Sequence, residues 1–236
     1  MTFDLSDEQG RACEGARQFA RERVAPHAAD IDRESRVPED LHGAAAALVA
    51  QARDPLSFVL VVEALAAASA SLALAAAAAS ERPALQMAGL RGAPVPDDSL
   101  RTVLAVNAVA LGVARAALDL ALMDLKQSAA RPGEEDKPHW AVADAATELD
   151  AAQLLTYRAA LVTEGDAQAT AAAMARLLAT AAATHAVDVA LRLSGPGGFA
   201  AHGALERLAR DARSLTLVGG GEDTQRTAAA AGLLPG

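Results

Sequence analysis

The chain consists of long stretches in which apolar residues recur at helical spacing, separated by short breaks rich in proline, glycine and acidic residues. In the second half, Leu104, Leu111 and Leu118 lie seven residues apart, which places them on one face of a helix. Residues 138–161 and 167–193 show the same kind of spacing. The pattern predicts an all-helical (all-α) protein.

The first half contains three predicted helices with recognisable beginnings. Ser6 and Gln9 form a capping box that starts a helix continuing to about Val24. A second helix opens at Pro38, because proline is favoured in the first turn. A third helix begins after Asp54, a good N-cap residue, and we expect it to continue as one long apolar helix.

The apolar part of that third helix covers residues 57–79 and is long enough to cross a bilayer. Glu63 lies within it, and most of its residues are Ala and Ser, which contribute little to membrane insertion. We therefore expect a buried or interface helix and no membrane partner. The N-terminus carries acidic residues where a signal peptide needs basic ones, so we expect a cytoplasmic protein.

Residues 81–98 interrupt the helical pattern with prolines and glycines. This break divides the chain into three predicted parts. They are an N-terminal helical domain at residues 1–82, a linker at residues 83–98 and a C-terminal helical bundle at residues 99–236.

Composition and charge narrow the possible functions. The chain carries 30 acidic and 21 basic residues, so the phosphate backbone of a nucleic acid would be repelled overall. A single cysteine, Cys13, excludes an internal disulfide. The five histidines show no ligand-like spacing, so we expect no metal site.

Four local features could carry chemistry, and each also has a purely structural interpretation. The glycines at residues 219–221 could cradle an anion or simply connect two helices. The string at residues 195–198 could also cradle an anion, or it could only stop a helix. Asp144 and Glu148 could share a proton or form a solvated acidic face. Asn107 could be catalytic or a satisfied core amide.

Several strings along the chain resemble the acyl-CoA dehydrogenases. Those that carry the resemblance are FDLSDEQGRACEGARQFARERVAPHAADIDRE, SFVLVVEALAAASASLAL, ADAATELDAAQLLTYRAA, ALRLSGPGGF and ERLARDARSLTLVGGGEDTQR. The resemblance implies an N-terminal helical domain and a C-terminal four-helix bundle that builds a dimer or tetramer. It also implies FAD and the oxidation of acyl-CoA thioesters, in which a carboxylate takes the α-proton and the flavin accepts the hydride.

The chain departs from the family at the catalytic positions. Only ERPALQMAGLRGAPVPDD stands where the family has its middle β-domain, so that domain is expected to be deleted. The usual catalytic glutamate is replaced by Gly219, which cannot accept a proton. Thr102 occupies the alternative position for the base, and Glu222 is the fallback candidate.

The implied flavin contacts are also reduced. The family's arginine, phenylalanine and glutamine after the first bundle helix correspond approximately to Leu125, Ser128 and Asp136, so the cation for the pyrophosphate is lost. The residues that still match the family's cofactor-contacting motifs are Gly195, Gly197, Gly198, Gln225 and Arg226.

Three hypotheses remain open. The leading one is a catalytically silent, cofactor-free acyl-CoA dehydrogenase-like protein that serves as an oligomeric partner subunit or scaffold. It would form a homo-oligomer, or a hetero-oligomer with a full-length acyl-CoA dehydrogenase. The second is an FAD-dependent acyl-CoA dehydrogenase, working alone or completing a partner's site. The third is a binding module for an acyl ligand between the two helical blocks.

Overall fold

The computed structural model describes residues 4–79, 100–127, 136–163, 165–200, 203–218 and 221–234. Within these ranges the chain is helical and contains no strand, which confirms the all-α prediction. The α-helices are α1 (Asp7–Phe19), α2 (Ala28–Glu34), α3 (Glu39–Gln51), α4 (Pro55–Ala66), α5 (Ala70–Ala79), α6 (Leu100–Gln127), α7 (Asp136–Leu161), α8 (Gly165–Ser194), α9 (Ala204–Leu215) and α10 (Gly221–Leu233).

Two of the three predicted helix starts in the first half are confirmed by side-chain caps, whereas Pro38 is the N-cap residue of α3 and the helix itself begins at Glu39. Ser6 Oγ accepts a hydrogen bond from the Gln9 amide at 3.2 Å, and Gln9 Oε1 accepts one from the Ser6 amide at 3.0 Å. Asp54 Oδ1 accepts from the Ser57 amide at 2.9 Å at the start of α4. After α1 the chain continues as a π-helical turn, Ala20–Val24, before the 3₁₀ turn that contains Pro26.

The prediction of one long third helix is wrong, because α4 and α5 are separate helices. The break lies between Ala66 and Ala70, where Ser69 Oγ accepts a hydrogen bond from the Leu72 amide at 3.3 Å. A serine side chain offers the backbone an alternative partner to the helical ladder, so a new helix begins there. The apolar stretch at residues 57–79 is therefore not one span.

Two other helices, α6 and α8, are long and apolar enough to cross a membrane by length and composition. The sequence reasoning considered only residues 57–79 and missed them. Their apolar windows are 72% and 56% buried inside the protein, as expected for core helices of a bundle.

The helices of both halves pack into one hydrophobic core. In the second half, α8 packs against α6, α7, α9 and α10. From the first half, α4 packs against α6 and α7 and is covered on its other side by α1. The predicted linker at residues 83–98 lies outside the described residues, so the domain boundary stays a prediction.

The crossing of α4 and α6 depends on a glycine. A Cβ atom at Gly112 would lie 2.5 Å from the carbonyl oxygen of Glu63 and 2.6 Å from the Cβ of Ala66. Only a residue without a side chain allows the two backbones to approach this closely. Gly112 thus sets the distance between the first half of the chain and the bundle.

The sequence pattern of α8 indicates a polar stripe through Arg176 and Thr180 and an apolar stripe through Ala181. The structure confirms this assignment only in part. Thr184 and Arg192 of the polar stripe are exposed and Val189 of the apolar stripe is buried, but Arg176 and Thr180 are buried and Ala181 is exposed. The reason is that α8 has neighbours on several sides, so polar residues on its surface meet other helices instead of solvent.

Candidate functional site

A cavity of about 510 Å³ lies at one end of the bundle, where α8 ends and α9 begins. Residues of α6, of the end of α8, of the 3₁₀ turn Gly195–Phe199 and of the start of α9 line it together. The lining residues are Leu120, Asp124, Leu193, Ser194, Gly197, Gly198, Gly203, Ala204 and Leu205. The cavity lies within the C-terminal block and not between the two helical blocks, where the acyl-binding hypothesis places its ligand.

The 3₁₀ turn beside this cavity is shaped by two of its glycines. Gly195 has a φ of 60°, a left-handed conformation that glycine adopts without strain. Gly198 is buried, and a Cβ there would lie 3.0 Å from the Cβ of Ser194. Gly197, in contrast, has no heavy atom within 4 Å of its missing Cβ. Gly197 and Gly198 line the cavity, whereas Gly195 does not.

One acidic group dominates the polarity of the cavity. The hydroxyl of Ser194 donates a hydrogen bond to Asp124 Oδ2, which joins the end of α8 to α6. Among the described residues that line the cavity, Asp124 is the only ionisable one. This lining suits a neutral or cationic group better than an anion.

Of the positions expected to have lost the flavin contacts, only Leu125 has a described side chain, and it is not among the residues that line the cavity. Leu125, which stands in place of the family's arginine, is a half-buried apolar residue packed against the core. Ser128 and the side chain of Asp136 lie outside the described residues. Thr102, at the start of α6, is half-buried.

The remaining predicted site residues lie on α10, and none of them lines the cavity. Glu222 Oε2 accepts a hydrogen bond from Arg226 Nη2 at 2.6 Å, and Arg226 Nη1 also contacts Asp223 Oδ1 at 3.1 Å. These hydrogen bonds raise the pKa of Arg226 above its usual range. Gln225 is buried, whereas Arg226 is exposed, and Gly219 lies outside the described residues.

Two residues have roles that the sequence reasoning missed, and only the first of them lies at the cavity. Asp124 lines the cavity, and its only sequence signal is a carboxylate in an otherwise largely apolar helix. Arg176 is 3% exposed and donates from Nη2 to the carbonyl oxygens of Leu215 at 2.7 Å and Val218 at 2.5 Å. Burial lowers the pKa of Arg176 to about 10. This guanidinium fixes the end of α9 just before the glycines at residues 219–221.

The other candidate features also have defined surroundings. Glu148 Oε2 lies 2.8 Å from His185 Nδ1 on α8, so its partner is a histidine and not Asp144, which is exposed. Asn107 is fully buried and donates to the carbonyl oxygen of Ala172 at 3.2 Å, but its Oδ1 has no hydrogen-bond partner. The described residues contain no group of three His, Cys, Asp or Glu side chains that could hold a metal ion.

The helical fold is that of acyl-CoA dehydrogenases and related proteins of known structure. The butyryl-CoA dehydrogenase of Megasphaera elsdenii superposes with a TM-score of 0.81 at 17% sequence identity, covering 99% of this chain and 100% of the other. A structure titled as the electron transferring flavoprotein of Acidaminococcus fermentans gives a TM-score of 0.85 at 16% identity, with both chains fully covered. At these identities the likeness concerns the fold alone.

Sequence comparison establishes the family. Residues 100–234 match the family model of the acyl-CoA dehydrogenase C-terminal domain, and the chain therefore belongs to the acyl-CoA dehydrogenase family. It is 34% identical over 131 residues to 3-sulfinopropanoyl-CoA desulfinase of Advenella mimigardefordensis, covering 54% of this chain and 33% of that protein. It is 35% identical over 135 residues to the mitochondrial short-chain specific acyl-CoA dehydrogenase of Bos taurus, covering 56% of this chain and 33% of that protein. The match thus spans about a third of each relative.

Proposed function

We propose that this chain is a catalytically silent member of the acyl-CoA dehydrogenase family that acts as an oligomeric partner subunit or scaffold. The observation that carries the proposal is the polarity of the cavity beside the 3₁₀ turn. Its described lining contains the carboxylate of Asp124 and no cationic side chain. FAD carries a pyrophosphate, so the group that the family implies does not fit this lining.

The cost of an anion in this cavity can be estimated from Coulomb's law. At an effective dielectric constant of about 20, two like unit charges about 5 Å apart repel by roughly 3 kcal/mol. This energy corresponds to a loss of more than about a hundredfold in affinity for each negative charge. The apolar side chain of Leu125 provides no compensating charge.

The fallback base gives little support to the catalytic alternative. Glu222 is held by Arg226 on the outer part of α10, with 45% of its side chain exposed. To accept a substrate proton it would have to leave this ion pair, and it lies outside the cavity, where Asp124 is the only carboxylate among the described lining residues. We therefore infer no catalytic step from the described residues.

An exposed apolar stripe on α7 supports the role as a partner subunit. Trp140, Leu154 and Leu161 are 61%, 49% and 59% exposed and lie at multiples of seven residues, which places them along one line of the helix. This α7 outer stripe extends over about 30 Å at 1.5 Å per residue. Large apolar side chains arranged in this way are typical of a protein interface. We propose a second copy of this chain, or a full-length relative, as the partner.

Flavin binding tests the silent role directly. The purified chain is expected to be colourless and to show no flavin absorption band after incubation with excess FAD and gel filtration. Stoichiometric FAD, together with turnover of an acyl-CoA that is lost in Glu222→Gln, would instead establish the catalytic alternative. Binding of an acyl-CoA without flavin would favour the acyl-ligand module.

The oligomeric role is tested by the mass of the complex in solution. We expect a dimer or larger assembly by light scattering, and a shift towards the monomer in Leu154→Glu. Leu217→Glu is the matched control, because Leu217 is 72% exposed but lies after α9, outside the α7 outer stripe. A monomeric wild-type chain that also fails to copurify with a full-length relative would refute this role.

A further inference from the structure

A buried polar cluster joins α4 of the first half to α7 of the bundle. Glu63 on α4 is 8% exposed and accepts hydrogen bonds from two residues of α7. Tyr157 donates from its hydroxyl to Glu63 Oε2 at 2.9 Å, and Gln153 Nε2 donates to Glu63 Oε1 at 2.8 Å. Gln153 Nε2 also lies 2.9 Å from the Tyr157 hydroxyl. We call these three residues the Glu63 cluster.

The charged groups around the cluster leave Glu63 without a direct counter-ion. Arg115 on α6 and Arg17 on α1 act on Glu63 only at longer range, and Arg115 itself lies 3.9 Å from Asp150. Cys13 on α1 is a further titratable neighbour of the Glu63 cluster. Burial raises the pKa of its thiol, so the thiol stays neutral and adds no charge. No ion pair between described residues includes Glu63.

The π-helical turn that also packs against α4 carries Arg21, Glu22 and Arg23, whose side chains are all exposed. Helix α5 has no ionisable side chain, and the ionisable residues of α3 lie in its first turn at Glu39, Asp40 and His42. Burial therefore has the largest effect on Glu63 and raises the pKa of its carboxyl, although the donors and the two arginines oppose the shift. A buried carboxyl in this position takes up a proton when its surroundings form.

The cluster can keep its contacts in both protonation states. When Glu63 is ionised, its two oxygens accept from Tyr157 and Gln153. When it is protonated, its hydroxyl can donate to the Tyr157 oxygen, because a phenol both donates and accepts. The pKa of Tyr157 is raised above its usual range by burial and by Glu63, so the phenol does not lose its proton instead.

We propose that the Glu63 cluster is a proton-binding site that links the attachment of helices α1–α5 on the bundle to pH. Loss of the Glu63 proton leaves a buried charge without a direct counter-ion between α4 and α7 and weakens their packing. Uptake of the proton removes the charge and strengthens it. This inference concerns the junction of the two halves and holds whether or not the chain binds flavin.

The sign and size of the effect follow from linkage. The folded state keeps the proton above pH 4.5, the ordinary value for a glutamate, where the unfolded chain has released it. As pH rises from there to the raised pKa of Glu63, the unfolding equilibrium constant increases by up to about tenfold per pH unit. Glu63→Gln cannot ionise and lacks this contribution.

The test is urea unfolding of the full chain between pH 4.5 and pH 8, for the wild type, Glu63→Gln and the control Glu8→Gln, whose carboxylate is exposed on α1. We expect the stability of Glu63→Gln relative to the wild type to increase with pH, and that of Glu8→Gln to stay level. Parallel curves for the wild type and Glu63→Gln would overturn the proposal.

A second measurement needs no variant at position 63. The ¹³C resonance of the Glu63 side-chain carboxyl should titrate above the ordinary glutamate range. The protection of the α4 and α7 amides against hydrogen exchange, corrected for the intrinsic rate at each pH, should fall with rising pH more than that of the α8 amides. Titration of Glu63 at its ordinary value would contradict the proposal even if the glutamine variant failed to fold. Tyr157→Phe should raise the pKa of Glu63 further, because it removes a donor to the carboxylate.

Discussion

The sharpest test of the packing between the two halves is Gly112→Ala at the crossing of α4 and α6. The added Cβ would meet the Glu63 carbonyl oxygen at 2.5 Å, the Ala66 Cβ at 2.6 Å and the Ala67 nitrogen at 2.9 Å. Two of these three atoms belong to the backbone and the third is a Cβ, so no side-chain rotation can relieve the contacts. The helices must separate by about 0.9 Å to restore a contact of about 3.4 Å.

The net effect is the difference between two opposing terms. Overpacking of a core costs about 1–3 kcal/mol, and three simultaneous contacts with fixed atoms place Gly112→Ala near the upper end. Alanine in a helix interior gains about 1 kcal/mol over glycine. We therefore expect a net loss of about 2 kcal/mol, or about 4–8 °C in melting temperature for a domain of this size.

Gly15→Ala supplies the matched control, because it is the same substitution in an exposed helix position. Gly15 lies on α1 with no heavy atom within 4 Å of the added Cβ, so only the helix term applies. We expect a gain of about 1 kcal/mol. Thermal unfolding followed by circular dichroism measures both variants. If Gly112→Ala were as stable as Gly15→Ala, the close contact between α4 and α6 would be refuted.

Three further predictions concern individual polar side chains and are tested by urea unfolding. Arg176→Met should lower the stability by about 2 kcal/mol, because the carbonyl oxygens of Leu215 and Val218 lose a charged donor, and Arg176→Lys should have an intermediate effect. A stability of Arg176→Met equal to that of the wild type would contradict this role. Asn107→Ala should lower the stability by less than about 1 kcal/mol, because its Oδ1 already lacks a hydrogen-bond partner. Leu111→Ala in the same helix should lower it by about 2–5 kcal/mol, because it removes a fully buried leucine side chain. Similar losses for the two variants would contradict this prediction. Burial raises the pKa of Asp211 to about 6, so the folded chain holds this proton more tightly than the unfolded chain. The stability of the wild type should therefore fall between pH 4 and pH 6 relative to that of Asp211→Asn. A stability difference that stays constant over this range would contradict the prediction.

Much of the fold could be predicted because its signals are local. The capping box at Ser6, the cap at Asp54 and the helical spacing of the leucines in α6 depend only on neighbours in sequence, and the structure confirms all three. The break before α5 was missed because Ser69 is a single weak cap within a run of good helix formers. Propensity averaged over such a run conceals one side-chain hydrogen bond.

The environment of individual polar residues could not be predicted in the same way. Glu63 was recognised only as a charge within an apolar stretch, since its partners Gln153 and Tyr157 lie about ninety residues away in sequence. Arg176 was assigned to a polar stripe because a hydrophobic pattern describes one helix face and not the helices that cover it. Such residues become informative only when the neighbours of the helix are known.

The candidate site also contains residues that could be identified from the local sequence and one that could not. The glycines at positions 197 and 198 could be identified from their string, and they do line a cavity. The only ionisable residue in the described lining, Asp124, comes from α6, more than seventy residues earlier. Its carboxylate meets Ser194 only because α6 and the end of α8 lie side by side.

The contacts that join the two halves of the chain are separate from those near the candidate site. Gly112 and the Glu63 cluster lie where α4 meets α6 and α7, whereas Asp124 and the 3₁₀ turn lie at the end of the bundle. None of the described residues that line the cavity belongs to the Glu63 cluster or would contact a Cβ at Gly112. Substitutions at the cavity are therefore expected to leave the junction of the two halves intact, because residues that share no contacts contribute almost independently to stability.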